Sequence, residues 1–207
     1  MTIDLVTARF IEMLEQESTA KAQIVTAGYM IASREDEDLS VRGILKLAGY
    51  AASKFYGFWT GRSEFVLDGY LYCVEKYIDA EVTFAREFSG KTPRDFFALI
   101  AYHTVLSQRL VSQKTFREIA GKLARGDYSK LLVHMESQVR RNMEVFVDKF
   151  PEYGNNIDIS SGRAMMWAVG TFILNWTFDE GLKTVTDDEL VDLIVDTYAG
   201  FITRPIS

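Results

Sequence analysis

Residues 40–59 read SVRGILKLAGYAASKFYGFW, and this stretch decides how the rest of the chain is interpreted. It opens on Ser40, a residue type that caps helices, and apolar residues then recur at helical spacing as far as Gly49. Glycine is typical of a helix C-terminus because it adopts a left-handed backbone without strain. A second short helix is predicted over 52–58. Two short helices joined by a glycine turn form the pattern of a helix-turn-helix.

The second helix of such a motif enters the DNA major groove, which is about 12 Å wide and admits one helix. That helix needs an apolar back and an outer face of small or basic side chains. Phe55, together with Phe58 or Trp59, can pack inward. The residues expected to face outward are Ala52, Ser53, Lys54 and Tyr56. Basic residues flank them on the neighbouring helices, namely Arg42, Lys46 and Arg62.

Helical periodicity also dominates on both sides of this motif. Residues 5–17 form an amphipathic arm or helix. After this segment, the periodicity predicts about nine helices, over 20–32, 40–48, 52–58, 62–88, 93–112, 115–123, 131–150, 160–178 and 187–202. Thr186 and Glu189 form a capping box at the start of the last helix, and Pro151 ends the helix before a loop at 152–156. No stretch predicts a strand, so the predicted fold class is all-α.

Cysteine use and hydropathy indicate a cytoplasmic protein. The single cysteine, Cys73, excludes an intramolecular disulfide and fits a reducing compartment. We expect Cys73 to be a buried inert thiol, with an exposed redox sensor as the alternative. The N-terminus lacks the basic start and apolar core of a signal peptide. The longest apolar-rich stretch, 164–176, is shorter than the roughly 20 residues of a membrane span.

Catalytic and metal-binding signatures are missing from the sequence. It contains no CxxC pair, HExxH, GxxxxGK[ST] or GxSxG, and it offers no nucleophile paired with a base. The two histidines, His103 and His134, have no acidic or cysteine partners at the spacing of a zinc site. We therefore expect no enzyme, no metal and no cofactor, and an enzyme ranks as a distant third hypothesis.

The formal net charge of −6, taken on its own, counts against a nucleic-acid-binding protein. The charges are unevenly distributed, however. Residues 21–67 hold six basic and five acidic residues, and four of those acids are consecutive at 35–38. Outside that tract, Glu64 is the one acid in the segment. Global acidity therefore does not exclude DNA binding.

The C-terminal part of the chain is rich in aromatic residues and methionine. Side chains that could line an apolar ligand cavity with a few polar groups are Phe97, Tyr102, His103, Met135, Met166 and Trp167. The alternative is that any one of these residues belongs to a packed core, and that His103 is a core histidine with its hydrogen bonds satisfied.

Two of the predicted helices have the pattern of a dimer interface. One carries a stripe of small or polar residues, Ser161, Ala164, Ala168, Thr171 and Asn175. The last helix presents Leu190, Ile194, Thr197 and Phe201. Small residues on one helix and bulky ones on the next allow close antiparallel packing, so we predict a four-helix interface between two copies. Packing within one chain is the alternative.

The segment 40–59, continued through Thr60 to Phe65, resembles the helix-turn-helix of the TetR-type (tetracycline-repressor-like) regulators. The matching positions are Ala27, Ser40, Val41, Arg42, Ile44, Ala48, Gly49, Tyr56 and Glu64. The resemblance covers residues 21–66, and the remainder agrees in length and helix layout.

The resemblance implies an N-terminal arm and DNA-binding domain at 1–66 and a ligand-binding and dimerisation domain at 67–207. It also implies a homodimer that represses transcription from a palindromic operator in double-stranded DNA until a small apolar or aromatic ligand releases it. Carried over by position, Ser40, Tyr56 and Arg62 would contact phosphates. Ala52, Ser53 and Lys54 would face bases or nearby phosphates.

An alternative function is a helical ligand-binding or protein-interaction dimer whose headpiece has lost or altered DNA binding. Leu45 and Ala51 support it, since the family usually has alanine and serine at these positions. The acidic tract 35–38 also supports it, because it places negative charge near the expected DNA side.

Overall fold

A computed structural model of the chain describes residues 3–34, 39–107, 115, 118, 119, 121, 128–156 and 185–202. Across these ranges the α-helices are α1 (Ile3–Glu15), α2 (Ala20–Ala32), α3 (Val41–Ala48), α4 (Ala52–Tyr56), α5 (Arg62–Glu87), α6 (Pro93–Ser107), α7 (Tyr128–Lys149) and α8 (Asp187–Ile202). The described residues contain no strand, which confirms the all-α prediction. None of the helices in these ranges is long and apolar enough to cross a membrane.

Most predicted helix limits agree with the structure, and the differences have local causes. α4 ends at Tyr56 instead of 58, with Gly57 as its C-cap residue, and the Phe58 amide bonds to the Phe55 carbonyl three residues back at 2.9 Å, which tightens the chain out of the α-helix. Pro151–Asn156 forms a 3-10 helix where a loop was predicted, since the fixed φ of proline suits a first helical turn. The predicted helix 160–178 lies outside the described residues.

Three predicted caps are present as hydrogen bonds. The Ser40 hydroxyl accepts from the amide of Gly43 at 3.1 Å. Gly49 ends α3 with φ of 75°, a left-handed conformation, and its amide donates to the Leu45 carbonyl at 2.9 Å. At α8, the Thr186 amide donates to the Glu189 carboxylate at 2.8 Å while the Glu189 amide donates back to the Thr186 hydroxyl. Local sequence signals therefore position these helix ends.

α4 begins without a side-chain cap, and this gives a stability prediction. Ala51 has the extended backbone of a cap residue, with φ of −75° and ψ of 156°, but no side-chain cap hydrogen bond. We expect Ala51→Ser to raise the free energy of unfolding by about 1 kcal/mol, measured by urea denaturation, because a serine here can accept an amide hydrogen bond. Ala52→Ser, one position into the helix, is the matched control and should give no such gain. Equal effects of the two substitutions would contradict the prediction.

The chain divides into two compact units that differ from the predicted domains. One unit contains residues 1–80 and 107–134, and the other contains 81–106 and 135–207. The predicted boundary between residues 66 and 67 falls inside α5, which is one continuous helix. A long helix can bury successive turns in different cores, so a domain boundary placed at its start is not where the contacts divide.

The core of the first unit begins on α1. Val6, Phe10 and Leu14 follow each other at steps of four and are all buried. The Phe10 ring meets Tyr29 of α2 at 5.2 Å and Tyr77 of α5 at 5.7 Å between centroids, both edge to face. α3 packs on α2, and α4 contacts both α2 and α3. The two short helices, α3 and α4, therefore both pack against α2.

A cluster of three aromatic rings anchors α4 from beneath. Phe55 is fully buried, and its ring centroid lies 5.1 Å from Trp59 and 5.4 Å from Phe65. Gly28 on α2 allows the Phe65 ring to approach, since a Cβ at this position would lie 2.4 Å from Phe65 Cζ. The position of α4 therefore depends on one central phenylalanine.

The second unit has its own aromatic core. Phe96, Phe97 and Phe146 are buried, and the rings of Phe97 and Phe146 stack with centroids 5.0 Å apart. α8 contributes Tyr198, whose ring lies 5.6 Å from that of Phe97. Large aromatic rings account for most of the apolar area available to such a core.

Candidate nucleic-acid interface

The outer face of α4 is the surface that the sequence analysis assigned to DNA. Ala52, Ser53, Lys54 and Tyr56 are all exposed, with 59% of the Tyr56 surface accessible. Phe55 between them is fully buried, as predicted. Of the two alternatives for a second inward residue, Trp59 is the buried one at 2%, and Phe58 is 39% exposed. A five-residue helix thus separates its apolar anchor from its small, basic and phenolic side chains.

Positive charge accompanies this face. Arg42 and Lys46 on α3 and Lys54 on α4 are exposed, and none of the three forms an ion pair with a described residue. Lys54 Nζ lies 5.9 Å from the centroid of the Phe58 ring, within range of a cation–π contact. Unpaired cations on a surface attract phosphate groups.

Ser40 lies at the start of α3 and is exposed. Its oxygen already accepts the Gly43 amide. A hydroxyl both accepts and donates, so the Ser40 proton can still be given to a phosphate oxygen. Capping and phosphate contact are compatible at this residue.

The structure gives Arg62 different surroundings. Its two terminal nitrogens donate to the Glu118 carboxylate at 2.8 and 2.7 Å, and its Nε donates to the Leu39 carbonyl. This bidentate pair uses the donors that a phosphate contact would need. Glu118 is 56 positions away, so spacing alone could not have paired the two residues. We therefore leave Arg62 out of the DNA-contacting set.

Asp68 connects the loop after α4 to two longer helices of the first unit. Its carboxylate accepts from Trp59 Nε1 at 2.8 Å and forms an ion pair with Lys21 of α2 at 2.8 Å. Lys21 Nζ also lies 5.6 Å from the centroid of the Trp59 ring. The loop after α4 is thus tied to both α2 and α5.

The predicted ligand-binding residues that the structure describes lie in packed surroundings. Phe97 belongs to the aromatic core, and Tyr102 is half-buried. His103 is fully buried with its ring edge to face with Phe84 at 5.8 Å and with Tyr102 at 5.9 Å. Burial lowers the pKa of His103 to about 4, so the imidazole is neutral at pH 7. Phe97 and His103 are thus both buried against neighbouring aromatic rings.

Met166 and Trp167 lie outside the described residues, as does the side chain of Met135.

The two large aliphatic residues of the predicted dimer face of α8 are buried within the single chain. Leu190 and Ile194 are 0% and 1% exposed in the single chain, so their apolar area is already buried. Thr197 is half-buried, and its hydroxyl donates to the Leu193 carbonyl at 2.8 Å. The helical pattern identified the buried stripe of α8, but a stripe that faces the chain's own core has the same pattern as an interface. The other predicted interface residues, Ser161, Ala164, Ala168, Thr171, Asn175 and the side chain of Phe201, lie outside the described residues.

Cys73 lines a small apolar cavity in the first unit. The cavity measures about 30 Å³ and lies between residues of α2, residues of α5, Leu39, Thr115 and Ile119. Burial raises the pKa of the Cys73 thiol to about 12. A protonated, buried thiol is inert, which agrees with the expectation for Cys73 and not with an exposed sensor.

The second unit contains a buried polar cluster that was not predicted from the sequence. Glu81 is fully buried, and its Oε1 accepts from Asn142 Nδ2 at 2.6 Å. Gln138 Nε2 donates to both carboxylate oxygens, at 3.2 and 3.1 Å. A signal existed, because Glu81 shares a helical face with Tyr77 and Ala85, both of which are buried. An acidic residue in such a stripe must find hydrogen-bond donors on a neighbouring helix.

Glu81 gives the second unit a characteristic pH dependence. Burial raises the pKa of Glu81 to about 7, while Asn142, Gln138 and Arg141 act in the opposite direction. Between the ordinary value of 4.5 and this raised value, the folded state binds more protons than the unfolded state. Rising pH therefore costs the wild type folding stability over this interval.

We expect Glu81→Gln to become more stable relative to wild type as pH rises from 4.5 to about 7. The difference in unfolding free energy should grow by at most about 1.4 kcal/mol per pH unit and be constant on either side of the interval. Urea denaturation at a series of pH values measures it. Glu87→Gln, at an exposed glutamate of the same helix, is the control. A difference that does not change with pH would contradict the account of Glu81.

No protein-family model, curated protein or solved structure matched the chain when each was compared with it.

Proposed function

We propose that the chain is a ligand-responsive, DNA-binding transcriptional regulator of the TetR type, a repressor that a small molecule releases from a palindromic operator. The observation that supports this most strongly is the division of α4. Its small, basic and phenolic side chains are exposed together while Phe55 is fully buried beneath them. A recognition helix needs this division, because its back must be fixed for its front to be placed in a groove.

The proposed contacts follow from the exposed groups. Lys54 and Tyr56, with Ser53 and Ala52, approach bases and nearby phosphates in the major groove. Arg42 and the Ser40 hydroxyl contact phosphates beside α3. Lys46 is also exposed, and its positive charge makes it a further candidate for a phosphate contact. Phosphate contacts position the protein, and the α4 side chains read the sequence.

Release requires a coupling between two sites. A ligand shifts the equilibrium only if it binds the DNA-incompetent arrangement better than the competent one. We propose a homodimer, in which the competent arrangement is a spacing of the two motifs about one or more helical turns of DNA apart. If α8 contributes to the dimer, its exposed residues Leu193 and Gly200 are better placed than the buried Leu190 and Ile194.

Selection from random double-stranded DNA tests the proposal. The full chain should enrich a palindromic sequence, whose two halves mirror the two-fold axis of a dimer. Its affinity should fall steeply with salt because several phosphates are neutralised. Enrichment of no sequence over repeated rounds would contradict a role as an operator-binding regulator.

A protein-interaction dimer is the second candidate, and exposed apolar residues favour it. Leu47 on α3 is 54% exposed, and Phe58 after α4 is 39% exposed, both close in sequence to the proposed DNA face. Leu45, in contrast, is buried at 7% and does not add to this surface. The two candidates differ in their response to Leu47→Ser, which would weaken a protein complex and leave an operator complex largely unchanged.

A further inference from the structure

The buried carboxylate of Glu81 has neutral hydrogen-bond donors and no ion pair among the described residues. Asn142 and Gln138 each supply an amide, and Arg141 on α7 favours the charged form without pairing with it. A buried carboxylate is normally paired with a cation, because removing it from water is expensive. When Glu81 is ionised, its negative charge has no ion-pair partner among the described residues.

A second acceptor lies beside this carboxylate. Asn142 is 3% exposed, and its Oδ1 finds no donor among the described residues. The amide nitrogen of the same group is held by Glu81 at 2.6 Å, so the oxygen cannot turn toward another donor without breaking that bond. Buried acceptors without donors are rare in folded proteins. The cluster therefore offers three acceptor atoms for a donor-rich group, counting both oxygens of Glu81.

The Gln138 amide occupies the position at the Glu81 carboxylate that a donor-rich group would take. One nitrogen, Nε2, spans both Glu81 oxygens, and the Gln138 side chain is half-buried, so it reaches toward solvent. A charged donor forms hydrogen bonds to a carboxylate that are roughly twice as strong as those of a neutral amide. An incoming cation can therefore compete with the Gln138 amide for the carboxylate oxygens of Glu81.

We propose that Glu81 and Asn142 bind the ammonium group of a small organic amine, which takes the place of the Gln138 amide at the carboxylate. An ammonium group has three donors, which match the two carboxylate oxygens and Asn142 Oδ1. Phe84, nearly one turn further along α5 and half-buried, offers an aromatic surface to the organic part of the ligand. The role of this amine as the molecule that releases DNA rests on the proposed function, whereas its binding does not.

Calorimetric titration of the full chain with benzylammonium, and with benzyl alcohol as the uncharged match, tests the site. At about pH 8, where Glu81 is ionised, we expect saturable binding of benzylammonium with a Kd on the order of 1 mM. Glu81→Gln should weaken it at least about tenfold, and Gln138→Ala should tighten it about threefold or more by removing the competing amide. A role that is only structural would not make the two variants move in opposite directions.

Three results would overturn the proposal: no saturable binding of benzylammonium, equal binding of the alcohol, or unchanged affinity in Glu81→Gln that folds by circular dichroism. If that variant fails to fold, the Gln138→Ala result decides, and weaker or unchanged binding counts against the site. The titration contains no DNA, so a failure of the DNA-binding proposal leaves its outcome intact. Binding without any effect on an operator complex would keep the amine site and remove its regulatory role.

Discussion

Replacing Lys54 and Tyr56 together by alanine is expected to weaken operator binding by at least about 150-fold, since each protomer loses two hydrogen bonds to charged groups at about 1.5 kcal/mol or more apiece. Both side chains are exposed on α4, and the described structure gives neither a hydrogen bond or ion pair within the chain. The free energy of unfolding should therefore change little. Fluorescence anisotropy with a labelled operator measures the affinity, and urea denaturation measures the stability.

The control for this double substitution is Lys91→Ala, which removes an exposed lysine from the second unit. It lowers the positive charge of the chain by the same amount at a residue that is not part of α3 or α4, so we expect operator affinity to stay within about threefold of wild type. The salt dependence should also separate the two, because removing a phosphate contact reduces the slope by about one and the control does not. Equal losses in both variants would show that net charge, and not the α4 surface, controls binding.

The second large effect concerns the anchor of α4. We expect Phe55→Ala to lower the free energy of unfolding by about 3 to 5 kcal/mol, the usual range for a fully buried phenylalanine. Phe55 is 0% exposed and contacts the rings of Trp59 and Phe65, so alanine leaves a cavity at the centre of the cluster. Because α4 has only five residues, its placement should be lost with the anchor, and DNA binding with it.

Phe58→Ala is the matched control, since Phe58 is the same residue type three positions on and is 39% exposed. Its loss should be about 1 kcal/mol or less, from partial burial and the cation–π contact with Lys54. Both are measured by urea denaturation followed by circular dichroism. Similar losses for Phe55→Ala and Phe58→Ala would mean that the aromatic cluster does not hold α4 in place.

Local signals in the sequence predicted much of the fold. Ser40, Gly49 and the Thr186–Glu189 pair act on backbone groups within four residues, so their hydrogen bonds can be inferred from neighbouring letters. The inward position of Phe55 was predictable for the same reason, since a short helix has one apolar side.

Long-range pairs were not predictable in this way. Arg62 was assigned to phosphate because its helix N-terminus suits an anion, and no spacing rule indicated that Glu118 would bind it. The Glu81 cluster depends on Asn142, which is 61 positions away. Its hydrogen bond could not be predicted from spacing, because it requires α5 and α7 to pack against each other. Leu190 and Ile194 show a third limit, because an apolar stripe does not reveal whether it faces its own chain or a partner.

The most direct test of the central claim is the ratio of two affinities for one protein. Anisotropy titrations at physiological salt would compare the DNA selected by the full chain with a scrambled duplex of the same length and composition. A sequence-specific regulator should bind the selected duplex at least about a thousandfold more tightly. A ratio near one, at affinities that fall with salt alike for both duplexes, would contradict the claim that the α4 surface reads DNA sequence.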